Sequence, residues 1–178
     1  MDIKKARTLP KALLLIYILL ALLALAIPPV GFAAEKQITT DPSVQNYPVV
    51  SDGAVAWQDY RNPFNDPDTN NNIDVWTYPF PSGPETNITG IASQEYPAIS
   101  GDKIVYQAFV VYVRNLGIYL YDLSTKETKI VTSSPGALYP DIDGERVVYQ
   151  DASSNNIDIY LYNLSTGNPS RLTTNPSI

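Results

Sequence analysis

The 178-residue chain contains no cysteine and no histidine. Without cysteine it can form neither a disulfide framework nor a thiolate metal site. Without histidine it cannot build the Ser-His-Asp and Cys-His arrangements of nucleophilic catalysis, or an imidazole site for zinc or iron. We therefore expect no catalytic residues and no resident cofactor, with calcium as the one exception discussed below.

Basic residues are also scarce, above all after residue 33. The whole chain has 12 Lys and Arg against 18 Asp and Glu. The first 33 residues hold four of the basic residues and one of the acidic ones, so the remainder has 8 against 17 and a net charge of −9. Because nucleic acids and anionic membranes are polyanions, we expect neither as a partner.

The N-terminus carries the features of an export signal. Four basic residues between Lys4 and Lys11 precede an apolar run from Ala12 to Ile27, and small residues suited to cleavage surround Ala33. This order is typical of a secretory signal peptide, which would cover residues 1–33. An uncleaved signal anchor is the alternative, and it would be the only membrane contact of the chain. Both readings predict an extracellular or cell-surface protein.

One pattern recurs three times in residues 34–178. A Tyr-Pro pair opens each copy at Tyr47, Tyr96 and Tyr139, so the copies start 49 and 43 residues apart. An aromatic residue followed by glutamine comes ten residues later in every copy. Periods of this length are typical of propellers and other repeat arrays. The predicted units cover about 36–86, 87–129 and 130–178.

Each unit contains four short stretches in which apolar and polar residues alternate, as they do in half-buried strands. In the second copy they read Tyr-Pro-Ala-Ile, Ile-Val-Tyr-Gln, Ile-Tyr-Leu-Tyr and Ile-Val-Thr. Gly101, Gly144 and Gly167 supply the positive φ that tight hairpins need between such strands. Because four antiparallel strands form one blade, the sequence predicts an all-β, β-propeller-type fold of about three four-stranded antiparallel blades.

The repeat resembles that of TolB-like β-propellers, above all the version found in archaeal cell-surface proteins. The similarity rests on the strand pair from Pro97 to Gln107 and on the hairpin from Asp158 to Gly167. In one departure, Gly117 replaces the aspartate that the other copies have at Asp74 and Asp158. The resemblance implies a propeller and leaves the function open, since propellers host many unrelated functions.

Three blades are fewer than the four to eight that usually close a propeller. The chain could be a truncated piece of a longer surface protein, it could complete a ring by self-assembly, or it could form an open arc. Open arrays expose apolar end faces, and no polar capping unit is evident. We therefore favour truncation, with self-assembly second.

These features predict an exported, non-catalytic module that serves as a scaffold or as a protein- or ligand-interaction domain at the cell surface. We expect a protein partner or self-association. The alternatives are an accessory propeller domain of a secreted hydrolase or lyase, and a calcium-dependent or glycan-binding adhesin.

Paired carboxylates are the one catalytic chemistry that the composition leaves open, because two acids can divide the roles of acid and nucleophile. Asp59, Glu95 and Asp151 are the candidates that could pair across blades. Asp59 and Asp151 occupy the same position of the repeat, as fold-forming residues would. We interpret these acids as structural.

One loop has the ligand spacing of a calcium site. Oxygen-bearing side chains alternate along the insertion of the first copy, as they do where a short loop wraps a hard cation. The loop lacks the glycine expected at its sixth position, and Thr77 stands where a bidentate glutamate would complete the shell. Such residues are equally common in ordinary surface hairpins. The candidate calcium ligands are Asp66, Asp68, Asn70, Asn72 and Asp74.

Two sequences match the acceptor pattern for N-glycosylation. Asn87-Ile88-Thr89 and Asn163-Leu164-Ser165 fit the modification of an exported chain. Asn163 enters a predicted hairpin, so we expect it to be the more accessible of the two.

Aromatic residues recur along the predicted strands and have two readings. Exposed aromatic rings could form a face that binds glycans. Because these rings repeat at equivalent positions, we interpret them as packing between blades. The set comprises Trp57, Trp76, Tyr106, Tyr119, Tyr121, Tyr149, Tyr160 and Tyr162.

Overall fold

The alternating segments form strands, because β-branched and aromatic side chains pack well on a pleated, half-buried surface. The computed structural model describes residues 35–61, 73–88, 93–110, 114–154 and 156–174. The chain forms two compact units, residues 1–37 and 38–178, and every strand of the described residues lies in the second. The predicted signal peptide, residues 1–33, lies outside the described residues. Within the described ranges, no helix has the length and apolar character needed to cross a membrane.

In the described ranges, twelve strands form three antiparallel sheets of four, and consecutive strands are neighbours in each sheet. Blade 1 contains β1 (Gln45–Ser51), β2 (Ala54–Asp59), β3 (Asp74–Pro79) and β4 (Thr86–Asn87). Blade 2 contains β5 (Ser93–Ser100), β6 (Lys103–Val110), β7 (Arg114–Asp122) and β8 (Glu127–Thr132). Blade 3 contains β9 (Ala137–Asp143), β10 (Arg146–Asp151), β11 (Asp158–Asn163) and β12 (Asn168–Arg171). This confirms the predicted all-β fold of four-stranded antiparallel blades.

The sheets do not end where the predicted units end. The predicted boundary at 86/87 falls within β4, and the one at 129/130 falls within β8. The reason is that the fourth strand pairs with the third strand of its own blade, so it completes the unit before it.

The first strands of the three blades are neighbours, since β1 contacts β5 and β5 contacts β9. Apolar residues fill the spaces between the blades. Between blades 1 and 2 the buried cluster consists of Ala56, Val75, Ile88, Ile104, Tyr106 and Ala108. Between blades 2 and 3 it consists of Ala98, Val105, Ile118, Leu120, Val131, Ala137, Ile142, Val147 and Tyr149. The core of this fold is therefore the set of interfaces between neighbouring blades, as in other repeat proteins.

Gly117, which departs from the aspartate of the other copies, has a geometric explanation. Its φ is +109°, a backbone conformation that L side chains rarely adopt. A Cβ at this position would lie 2.0 Å from the carbonyl oxygen of Thr132 in β8. The register between β6 and β7 shifts nearby, between Ala108 and Phe109. Blade 2 therefore has no room for a side chain at position 117.

Candidate functional site

Each interface between blades contains a hydrogen bond from an anchor tyrosine to a glutamine. The backbone N–H of Tyr96 donates to Gln58 Oε1 over 3.0 Å. The backbone N–H of Tyr139 donates to Gln107 Oε1 over 3.2 Å. Both glutamine side chains are buried. The glutamine that ends the aromatic-Gln pair of one copy therefore holds the Tyr-Pro pair of the next copy.

The anchor tyrosines share an unusual backbone conformation. Tyr47, Tyr96 and Tyr139 have φ values of 48°, 53° and 51°. The register between the first and second strands shifts beside each of them, which is the signature of a β-bulge. A bulge leaves one residue out of the ladder of its own sheet, so that its N–H can turn to the preceding blade.

A second hydrogen bond recurs at the hairpin between the first two strands. The N–H of Gly101 donates to Ser51 Oγ over 2.8 Å, and the N–H of Gly144 donates to Ser100 Oγ over 3.0 Å. Ser51 and Ser100 are the last residues of the first strands of blades 1 and 2. Asp143 holds the same position in blade 3.

The rings of the three anchor tyrosines form a column that crosses the first strands of blades 1, 2 and 3. The centroid distance is 5.1 Å between Tyr47 and Tyr96 and 4.7 Å between Tyr96 and Tyr139, with edge-to-face geometry in both pairs. Tyr47 and Tyr139 are half exposed. Burial raises the pKa of Tyr96 to about 12, and the charge of neighbouring Glu95 adds to this. Burial also raises the pKa of Glu95. Sequence reasoning used these tyrosines only as repeat markers and missed the column.

The strand aromatics behave as the packing interpretation predicts. Tyr106 stacks on Tyr119 within blade 2, and Tyr149 stacks on Tyr160 within blade 3, with centroid distances of 6.1 Å and 5.7 Å. Tyr106 and Tyr149 are buried in the clusters between blades. Trp57 and Trp76 pair at the equivalent place in blade 1. These rings therefore belong to the core.

One face of blade 3 lacks the cover that blades 1 and 2 have. We call it the leading face, because its equivalents in blades 1 and 2 pack against the following blade. Ile118 in β7 is 0 % exposed, whereas Ile159 at the same position in β11 is 40 % exposed. Val131 in β8 is 7 % exposed, whereas its equivalent Leu172, directly after β12, is 55 % exposed. The difference arises because blade 3 covers the leading face of blade 2, and no described residue follows to cover blade 3.

The polar side chain of the leading face, Gln150, also lacks the contact that its equivalents make. Gln150 occupies the repeat position of Gln58 and Gln107, and its side chain makes no hydrogen bond with a described residue. A cavity of about 290 Å³ opens on this face between Val148 and Leu161, with Asp143 at its edge. The leading face therefore combines exposed apolar side chains with an amide that no described residue contacts by a hydrogen bond, at the place where the internal interfaces form theirs.

The candidate catalytic carboxylates lie on three different blades. Burial opposes ionisation of Asp59 most strongly, but hydrogen bonds from Arg61 and Trp57 outweigh it and lower the pKa of this carboxyl. Burial likewise opposes ionisation of Asp151, but hydrogen bonds from Ser153 and Ser134 lower its pKa. Glu95 lies beside the tyrosine column on β5. Asp59 and Asp151 thus serve local structure within or next to their own blades.

Most of the candidate calcium loop, Asp66, Asp68, Asn70 and Asn72, lies outside the described residues. Asp74 begins β3, is buried, and pairs with Asp59 across the ladder. In the part of the chain that the structure describes, no group of three acidic side chains is placed to hold a metal ion. Calcium binding by the loop stays a prediction.

The two glycosylation candidates occupy different settings. Asn87 lies half-buried in β4, opposite Trp76. Asn163 ends β11, and its Oδ1 accepts the N–H groups of Ser165 and Thr166. Asp122 accepts equivalent bonds in blade 2, so the side chain at this position shapes the turn. Glycosylation at either residue stays a prediction.

Three meandering four-stranded sheets, packed face to face with their first strands adjacent, define a β-propeller module. Solved structures agree. The TolB protein from Acinetobacter baumannii is 26 % identical with a TM-score of 0.55, over 71 % of this chain and 32 % of that one. The β-propeller domain of the Trilobed protease from Pyrococcus furiosus, described as having an open velcro topology, is 12 % identical with a TM-score of 0.57, over 73 % and 43 %. The nidogen/laminin complex gives 15 % identity and a TM-score of 0.52, over 74 % and 48 %.

The chain therefore spans about a third to a half of the length of these structures. No protein-family model matches it, and no curated protein matches it significantly.

Proposed function

We propose that the chain is an exported, non-catalytic β-propeller module of the archaeal cell-surface type, which acts as a scaffold or interaction domain. The observation that carries the proposal is the leading face of blade 3, with exposed Ile159 and Leu172 around Gln150, whose amide has no hydrogen-bond partner among the described residues. Exposed apolar patches rimmed by polar groups mark protein interaction sites.

Charge supports a protein partner. The net charge of −9 after residue 33 disfavours association with nucleic acids and anionic membranes. The leading face instead offers apolar side chains and an amide, the groups that neighbouring blades already use to bind each other. A folded protein with a matching apolar surface is the partner that this chemistry fits.

A structural use for the acids supports a non-catalytic role. Asp59 pairs with Arg61 over 2.6 Å, and Asp151 accepts the N–H of Ser153 over 2.9 Å. A carboxylate held in this way is a poor proton donor at neutral pH, because its pKa is lowered. Paired-carboxylate catalysis would also require Asp59 of blade 1 and Asp151 of blade 3 to contact the same substrate.

Export and surface exposure are tested by expressing the full chain in a secreting host. Mass spectrometry of the N-terminus should show a chain that begins at Ala34, and protease added to intact cells should digest it. Leu15→Arg, which breaks the apolar run, should leave the protein inside. A wild-type chain that keeps Met1 and stays protected in the cytoplasm would contradict the proposal.

Glycan binding is a second candidate, favoured by the half-exposed rings of Tyr47 and Tyr139 in the column. Aromatic faces stack on sugars, and a row of them suits an extended chain of sugar units. A panel of soluble oligosaccharides measured by calorimetry tests this idea. Tyr139→Ala should weaken binding about tenfold or more, an effect typical of losing a stacked ring, whereas Tyr149→Phe in the core should not. Equal affinity in all three proteins would rule the column out.

A further inference from the structure

We propose that a cavity between blades 1 and 2 binds a small amphiphilic carboxylic acid, a molecule with one carboxylate on an apolar acyl or aryl body. The cavity has a volume of about 520 Å³, within the range of small-molecule sites. It lies at the interface of two neighbouring blades, apart from the leading face of blade 3. The proposal therefore goes beyond the proposed protein partner and does not depend on it.

The equivalent place between blades 2 and 3 holds a smaller cavity, of about 200 Å³. Long side chains of blade 2 line it, and one of them, Lys103, places its Nζ 3.6 Å from Glu145 Oε1 of blade 3. Blade 1 has shorter side chains at the same positions of the repeat. Ala54, Thr77 and Thr86 stand where blade 2 has Lys103, Leu120 and Lys129. The large cavity is therefore a property of the blade 1 sequence and does not follow from the propeller fold alone.

The lining of the large cavity is mostly apolar. Ile88, Tyr121 and Leu123 line it, and all three belong to or pack against the buried cluster between blades 1 and 2. The Thr77 hydroxyl also faces no unmet demand, because it donates to the carbonyl oxygen of Val55 over 2.9 Å. Moving an apolar group from water into such a lining is favourable in proportion to the area that it buries.

Both sides of the cavity are fixed by backbone hydrogen bonds. On the blade 1 side, the N–H of Phe80 donates to the carbonyl oxygen of Gly53 over 2.9 Å. Proline residues on either side of this turn restrict its backbone further. On the blade 2 side, the N–H of Leu123 donates to the carbonyl oxygen of Asp102 over 2.8 Å. A preformed site of this kind needs little ordering when a small molecule binds.

Lys126 gives the cavity a positive charge. It is exposed at the lining, and its ammonium forms no ion pair or hydrogen bond with a described residue. Asp102 lines the same cavity but is already paired with Lys103 over 3.0 Å. The third copy has Gly167 at the position of Lys126, where φ is positive in both copies. A lysine therefore occupies a position at which glycine would be free of strain.

The combination of lining and charge selects the class of ligand. An ammonium beside an apolar lining fits a carboxylate on an apolar body, because hydrogen bonds between two charged groups are the stronger ones. One positive charge matches one carboxylate. A phosphate group carries close to two negative charges, so it would leave one of them unmatched.

Isothermal titration calorimetry of the full purified chain tests the proposal, with decanoate kept below the concentration at which it forms micelles. We expect one saturable site per chain. Decanamide has the same length and no charge, so it loses the charge-assisted contact with Lys126 and should bind about tenfold more weakly.

Two variants separate the charge from the cavity. Lys126→Gln should weaken decanoate about tenfold and leave decanamide unchanged, so that the preference for the acid disappears. Lys129→Gln is the matched control: it removes another exposed lysine, which lines the smaller cavity, and should change neither affinity. Thr77→Leu introduces the residue that blade 2 has at Leu120, so it should fill the cavity, abolish binding of both compounds and keep a cooperative thermal transition.

Two further measurements locate the ligand. Ile159→Glu on the leading face should leave decanoate binding unchanged, which excludes uptake by that exposed apolar surface. In methyl nuclear magnetic resonance spectra, decanoate should shift the signals of Ile88 and Leu123, which line the large cavity, and not that of Leu164, which lines the smaller one.

A wild-type chain that does not bind decanoate would overturn the proposal. Equal affinity for decanoate in the wild type and in Thr77→Leu would do so as well, and so would loss of binding in Ile159→Glu. Decanamide that binds as tightly as decanoate would refute the carboxylate as the recognised group. Export and the protein partner are measured separately, so the proposed function can hold when this inference fails.

Discussion

Arg61 offers the most demanding test of how blade 1 is held together. Its guanidinium pairs with Asp59 over 2.6 Å and with Glu85 over 2.7 Å, and it lies 3.7 Å from the ring centroid of Trp76. It also donates to Thr39 Oγ1 over 3.3 Å. One side chain thus joins the end of β2 to the segment before β4, the segment before β1 and the face of β3.

Replacing Arg61 with alanine leaves the buried Asp59 carboxylate short of donors. Trp57 Nε1, at 3.0 Å, and the backbone N–H of residue 61, at 2.9 Å, would remain. Removing one partner of a fully buried pair costs about 3–5 kcal/mol. The Arg61 side chain is 17 % exposed, so water can partly replace it, and we expect a loss of about 2–4 kcal/mol at pH 7.

The pH dependence separates charge from packing. In the wild type the pKa of Asp59 is lowered, so its contribution is present above the ordinary pKa of about 4 and is lost as the pH falls through the lowered value. In Arg61→Ala fewer hydrogen bonds oppose the effect of burial, so the pKa of Asp59 should rise above its unfolded value. Protonation of Asp59 then removes the buried charge from the variant as the pH falls from 7 towards about 4.5. The difference in unfolding free energy between the two proteins should therefore shrink.

Urea unfolding followed by tryptophan fluorescence measures the effect directly, because the only two tryptophans, Trp57 and Trp76, both lie in blade 1. Arg146→Ala is the control: Arg146 and Asp143 form an exposed pair over 3.2 Å, so its loss should cost less than about 0.5 kcal/mol. Asp59→Asn with Arg61→Ala completes a double-mutant cycle, in which the two losses should not add. An unchanged gap between pH 7 and pH 4.5, or additive losses, would refute the electrostatic reasoning.

Three further predictions concern other parts of the blades. Gly117→Asp, which restores the residue of the other copies, should cost more than about 4 kcal/mol of stability in thermal melting or prevent folding. Gly53→Ala is the control: nothing lies within 4 Å of the added Cβ, so stability should change by less than about 1 kcal/mol. Ile118→Ala should cost about 2–5 kcal/mol in urea unfolding because the side chain is fully buried between blades; the exposed Ile130→Ala should cost far less, and equal losses would contradict the assigned interface. Burial raises the pKa of Tyr106 to about 12, so the stability that its neutral form contributes is complete below pH 10 and is lost as the pH rises to about 12. Tyr106→Phe should therefore reduce the loss of stability at alkaline pH. An absorbance titration of this variant should show one fewer tyrosine that ionises late.

The period and strand pattern were enough to predict the blades, because alternation along a strand directly reflects which side chains are buried. Repetition was also enough to place Tyr106 and Tyr149 in the core. The leading face could not be predicted in the same way. Ile118 and Ile159 both begin an Ile-Tyr-Leu-Tyr stretch, and among the described residues only Ile118 has a following blade that buries it.

The hydrogen bonds between blades show a similar limit. The recurrence of glutamine after the aromatic residue was visible, but its partner lies 38 residues away for Gln58 and 32 residues away for Gln107. Positive φ at a tyrosine has no local signal, since this conformation favours glycine and asparagine. Gly117 was recognised as a departure, yet its cause is a carbonyl oxygen of β8, a strand that pairs with it only in the folded sheet.

The anchor tyrosines connect the energetics of the blades to their assembly. A non-glycine residue in the left-handed region costs about 1–2 kcal/mol, so each anchor persists only if favourable contacts offset that cost. For Tyr96 and Tyr139, these contacts include a hydrogen bond to a buried glutamine of the preceding blade and ring contacts within the column. Tyr47 has the strain and one ring contact, but no glutamine among the described residues. Tyr47 therefore keeps the anchor conformation with fewer of the contacts that accompany it in blades 2 and 3.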